Sequence, residues 1–136
     1  MYNYFMDLKD ILNEKNCSIV ASNGYVSFDS GIRPVIERLN EDIYYFKGLS
    51  VADQIIGKAS AMLLCLSGVK EVYAAVLSRS GKEIFDKYGV VYEYGELADY
   101  IINRKGDGMC PMEMTVKDID DLKEAYEALN RKIALH

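Results

Sequence analysis

Apolar residues along this chain recur with two spacings, about 3.6 and about 2 residues, and their alternation predicts a mixed α/β protein. Tyr4, Phe5, Leu8, Ile11 and Leu12 fall at helical intervals with Asp7, Lys9 and Asp10 between them, so an amphipathic helix opens the chain. Cys17 to Ala21 and Tyr25 to Phe28 then flank Ser22-Asn23-Gly24. An Asn-Gly pair supplies the positive φ angles of a tight turn, which predicts a β-hairpin. Ser30-Gly31-Ile32-Arg33-Pro34 introduces a short helix with Val35, Ile36 and Leu39 on one face, Pro34 being preset for an early helical position. Ile43 to Lys47 reads as a brief strand.

Ser50-Val51-Ala52-Asp53 has the form of a capping box, and Ile55, Ile56, Ala59, Met62, Leu63 and Leu66 follow at helical intervals up to Gly68. The pattern predicts a central buried helix. Val72 to Leu77 is a continuous apolar run, as in a strand covered on both faces. Ile84, Phe85 and Tyr88 mark a helix ending at Gly89, and Val90 to Tyr94 reads as a strand. Strand, helix and strand in that order favour a right-handed βαβ unit. Leu97 to Ile102 reads as one or two helical turns before the polar, glycine-punctuated loop 103–108. A second capping box, Thr115 to Asp118, predicts a last helix with Ile119, Leu122, Tyr126, Leu129 and Ile133 on one stripe. No repeat or linker divides residues 1–136, so a single domain is expected.

Half of the 136 residues are apolar and 27% are charged, the balance of a globular chain with one core. A formal net charge of −5, with no dense Lys/Arg cluster, argues against nucleic acid, whose binding rests on cationic neutralisation. No apolar run is long enough to span a bilayer and the start lacks a secretory pattern, so a cytoplasmic protein without a membrane partner is expected. Three widely spaced cysteines, Cys17, Cys65 and Cys110, suit a reducing compartment and free thiols.

Two segments carry a resemblance. From Leu77 the string LSRSGKEIFDKYG resembles the stretch of cytidine deaminases that holds P-C-x-x-C, and GKASAMLL resembles the helix that holds H-A-E. With the order of elements, this implies a cytidine-deaminase-like fold: three α/β/α layers around a mixed sheet of about five strands. In a zinc deaminase a His and two Cys hold the metal while a Glu moves protons. Here Lys58 stands for the His and Ser60 for the Glu, Ser78 and Gly81 occupy the cysteine positions, and Leu77 replaces the proline. The single histidine, His136, and the lack of a C-x-x-C pair leave no usual zinc site, so no metal or other cofactor is expected. GIRPVIERL, GLSVADQIIGKASAMLL and INRKGDGMCPME together resemble an uncharacterised prokaryotic family, a domain of unknown function.

The candidate chemistry lies in a few residues. Cys110, preceded by Gly106 and Gly108 and followed by Pro111, suits a thiol delivered near a helix start, where backbone N–H groups favour the thiolate; the alternative is packing beside Met109 and Met112. Glu113 suits a general acid or base if burial raises its pKa, or else a carboxylate accepting backbone N–H groups at a helix start. Lys58 suits a nucleophile or an anion-holding cation, against a snorkelling role at a helix edge. Asn103 and Arg104, with Lys105 beside them, suit an anion-binding loop, and Arg33 suits a cation added at a helix start. Asp53 either pairs with Lys58 or serves the capping box. These residues predict a zinc-independent protein binding an anionic or nucleotide-like metabolite, with Cys110 offering thiol-dependent hydrolysis or transfer. The rival is an interaction module that docks a partner or a second copy through the last helix, and a homodimer is compatible with either reading.

Overall fold

The computed structural model describes residues 4–103 and 105–135, with side chains from residue 7 onward. The side chains of Tyr4 and Phe5, and the residues Arg104 and His136, therefore lie outside what is described. Five strands form one sheet in the order β2-β1-β3-β4-β5. β1 (Ile19–Ala21) is antiparallel to β2 (Val26–Ser27) and to β3 (Ser50–Ile56). β3, β4 (Glu71–Ser78) and β5 (Val91–Ala98) run parallel. Parallel neighbours need crossovers. α3 (Lys58–Ser67) links β3 to β4, and α4 (Arg79–Tyr88) links β4 to β5.

The helices cover the two faces unequally. On one face α1 (Tyr4–Lys15) sets Leu8 and Leu12 against Val20, Ala52 and Tyr73. On the other face a larger core takes Val35, Ile36 and Leu39 from α2 (Arg33–Glu41), much of α3, and Ile84 and Phe85 from α4. Val116 from α5 (Pro111–Val116) and Ala125 and Leu129 from α6 (Leu122–Ala134) complete it. The apolar stripe of the last helix is thus spent on the chain's own core. No helix among the described residues is long and apolar enough to cross a membrane.

Several expectations hold and several are corrected. The hairpin forms, with shorter strands, and only Gly24 takes a positive φ (95°), while Asn23 Oδ1 accepts the Tyr25 N–H at 3.0 Å. Residues 43–47 form turns, not a strand: the Tyr45 N–H bonds to Asp42 O and the Lys47 N–H to Tyr44 O. Ser50 to Ile56 is a central strand, not the first turns of a helix, because β1 and β4 bracket it on both edges. The helix starts only after Gly57. Leu97 and Ala98 belong to β5, held in register by Leu77 and Ser78, and residues 99–102 that follow are not helical. The Thr115 box does not cap the last helix. α5 ends first, and Asp121 caps α6 by accepting the Glu124 N–H at 2.8 Å.

One buried bond ties the turn before β3 to α3. Phe46 is fully buried, and its N–H donates to the equally buried Ser67 Oγ at 2.8 Å. Ser67→Ala strands that N–H, so we expect a loss of about 1–3 kcal/mol in urea denaturation. An unchanged midpoint would mean that Phe46 finds another acceptor.

Candidate functional site

β3 delivers the chain to Gly57, where it turns into α3, and the neighbouring strand β4 delivers it to Ser78, where it turns into α4. Ser78 Oγ caps α4 by accepting the Gly81 N–H at 3.0 Å. The two helix starts lie against one another: a Cβ on Gly81 would stand 3.1 Å from the Gly57 carbonyl. Clefts at the carboxyl ends of parallel strands are where open α/β sheets place ligands.

A cavity of about 820 Å³ opens beside this junction. Its inner end holds Asp53, Gly57, Ser60 and Glu113; its mouth holds Arg33 and the loop residues Lys105 and Asp107. Ile32, Ile55, Met112 and Ile133 give it apolar walls. That combination of apolar walls and a few convergent polar groups is the usual make-up of a small-molecule site.

Glu113 has an unexpected place. It reaches from α5 to the start of α3, where Oε1 accepts the Lys58 N–H at 2.7 Å and Oε2 the Ala59 N–H at 2.8 Å. A carboxylate there complements the positive end of the helix dipole. Only glycine leaves room for it, since a Cβ at position 57 would lie 2.1 Å from Glu113 Oε1. Burial raises the Glu113 pKa, opposed by those two N–H groups and then by the Lys58 charge. The expected role at a helix start is therefore met, but on α3 rather than on the helix that carries Glu113.

Asp53 is neither a cap nor a partner of Lys58. It points from β3 to the cavity side of the sheet, 6% exposed, in register with Ile19 and Ala74. Its Oδ1 accepts the Ile55 N–H at 3.2 Å. Burial pushes its carboxyl up to about 7, against the backbone N–H groups of Ile55 and Gln54.

The remaining candidates separate. Cys110 lies half-buried in the cavity as the residue before α5, its N–H bonded to Ile101 O at 2.8 Å. Lys58 opens instead onto a second cavity of about 400 Å³, with its Nζ donating to Lys117 O at 3.0 Å. Lys58 and Cys110 share no cavity, although Glu113 borders both. Arg33 is half-exposed, 4.0 Å from Glu37. Asn103 bonds to Asp107 at 2.9 Å and so shapes its own loop. Cys17 is buried and Cys65 half-buried, both free thiols as expected; burial raises both, Cys65 to about 12. Among the described residues no three His, Cys, Asp or Glu side chains gather to hold a metal ion.

Gly57 and Ser60 belong to the site though neither was a candidate for it. A serine inside the apolar run KASAMLL, just after a glycine at a strand-to-helix junction, was the available signal.

The fold and cavity define a mixed α/β domain with a ligand-sized cleft at the ends of its parallel strands. The chain belongs to the TM1506 family, a domain of unknown function (DUF1893), whose model matches residues 7–133. It is similar to the crystal structure of a DUF1893 family protein (TM1506) from Thermotoga maritima at 2.70 Å resolution. The TM-score is 0.87 at 28% identity, covering 97% of this chain and 92% of the other. No curated protein matches the chain.

Proposed function

We propose that this domain binds a nucleotide-like metabolite without zinc, in the cleft of a cytidine-deaminase-like scaffold. The observation that carries this reading is the single cavity to which β3, α3, the loop 101–110 and α5 bring Asp53, Ser60, Cys110 and Glu113. The apolar walls suit a ring. Arg33 and Lys105 at the mouth suit an anionic group such as a phosphate, which guanidinium and ammonium groups bind well. Support for the scaffold comes from the adjoining starts of α3 and α4, the two segments whose sequences resemble the deaminase helices. Cys110 is the thiol on which a hydrolase or transferase activity would rest. Binding is better supported than turnover, because Glu113 is already engaged by two backbone N–H groups. The rival interaction module gains nothing from the α6 stripe, whose Leu129 is buried and whose Leu122, Tyr126 and Ile133 pack against the core.

A thermal-shift screen against nucleosides, nucleotides, sugar phosphates and small carboxylates tests the reading. A ligand at about 100 times its Kd stabilises by roughly 2.7 kcal/mol, a shift of several degrees for a domain of this size. Nucleotides are expected to give the largest shift, reduced in Arg33→Ala and Cys110→Ser. No shift from any member of the panel would turn the reading to a non-binding interaction module.

A further inference from the structure

We infer that the inner end of the cavity recognises a planar pair of adjacent N–H donors, as in an amidine, a guanidine or a guanine ring. The Asp53 carboxylate would accept them, with the Ser60 hydroxyl beside it. This assignment rests on the ligand-binding reading above and names the group that enters first.

Three observations lead to it. Asp53 is buried in the wall of a ligand-sized cavity, and no Lys or Arg among the described residues forms an ion pair with it. A carboxylate offers about four lone-pair sites and takes two parallel N–H donors in a fork, and the backbone N–H groups of Ile55 and Gln54 leave sites for such a pair. Ser60, 3% exposed, faces the same cavity from α3, and its hydroxyl makes no hydrogen bond among the described residues. Finally, the anion sought by the start of α3 is already supplied by Glu113. A ligand carboxylate or phosphate driven to this end would meet two acids and, among the described residues lining that end, no cation, so the inner end favours N–H donors and the mouth, with Arg33 and Lys105, favours the anion. The polarity of the cleft thus orients its ligand.

The probes are benzamidine against benzoate, and guanosine against inosine, which lacks the second N–H-bearing group. Binding is read by calorimetry on the full chain. Benzamidine is expected to bind and benzoate not; guanosine exceeding inosine would place the donor pair on a purine, while benzamidine alone would place it on a simple amidine. Asp53→Asn keeps the acceptor for Ile55 and is expected to lose at least tenfold in affinity, and Ser60→Ala to lose less.

Wild-type protein offers an independent readout should a variant fold poorly. Because burial holds the Asp53 carboxyl near 7, the ligand must displace its proton at lower pH, and affinity is expected to be about tenfold weaker at pH 6 than at pH 8. The charged and titratable groups around Asp53 are Cys17 at the entry to β1, Arg33 of α2, Glu113 of α5, and Lys105, Asp107 and Cys110 of the loop. A flat pH response in Asp53→Asn assigns the effect to Asp53. Benzoate binding as well as benzamidine, together with inosine matching guanosine, would overturn this assignment while leaving the cavity a ligand site. Silence from all four probes overturns it too, and the nucleotide panel then decides the broader reading separately.

Discussion

Gly57→Ala is expected to lower the stability of this domain by about 3 kcal/mol, more than most single substitutions. The backbone is not the reason: at φ −107° and ψ −168°, residue 57 is extended and open to alanine. On those grounds alone the change would stabilise by about 0.4–1 kcal/mol, through a less flexible unfolded chain. The collision reverses the sign. A new Cβ would stand 2.1 Å from Glu113 Oε1 and 2.4 Å from its Cδ, so the carboxylate must leave the start of α3. Its departure abandons the Lys58 and Ala59 N–H groups, whose bonds to a charged acceptor are worth about 1.5–3 kcal/mol each. Urea denaturation measures the loss. The mechanism makes a second demand: Gly57→Ala should cost little in a Glu113→Ala background, because the group it displaces is already gone. Additive losses in that double-mutant cycle would sink the explanation.

That contact could not be read from the sequence, because it joins residues 57 and 113 through a fold that local periodicity does not describe. What was legible was local. Val72 to Leu77, with its unbroken apolar run, and the helix closing on Gly89 were placed nearly as observed. Ser50 to Ile56 failed for a physical reason. SVADQII carries a cap-like serine and apolar residues whose spacing continues into α3, yet seven residues between two strands gain more from ladder hydrogen bonds on both edges than from a helix. The error mattered for the site, because it gave Asp53 a role in a capping box when the strand instead buries it in the cavity wall. Cys110 and Glu113 were legible as chemistry, from CPME in a glycine-rich context. Their separation from Lys58 was not, since it depends on which side of α3 the lysine leaves.

The burial of Asp53 leads to a second large effect with the opposite sign. Its carboxyl titrates near 7 in the folded chain and near 3.8 when unperturbed, so between those values the folded state holds a proton that the unfolded state has released. Stability contributed by this group is therefore complete below pH 3.8, falls as pH rises towards 7, and stays low above it. At about 1.4 kcal/mol for each pH unit between the two values, up to roughly 4 kcal/mol is at stake. Asp53→Asn removes the ionisation and keeps an oxygen for the Ile55 N–H, so it is expected to stabilise the domain by roughly 2–4 kcal/mol at pH 8 and to lose that advantage near pH 4. Glu113 contributes in the same direction, but it is present in both proteins and cancels from the difference. Paired urea titrations across that range give the answer. A variant more stable at pH 8 and unable to hold benzamidine would mark Asp53 as a carboxyl retained against stability for its ligand, the usual sign of a functional residue. A variant less stable at both pH values would instead make Asp53 a brace for β3, acting through Ile55, and would remove the acid from the site.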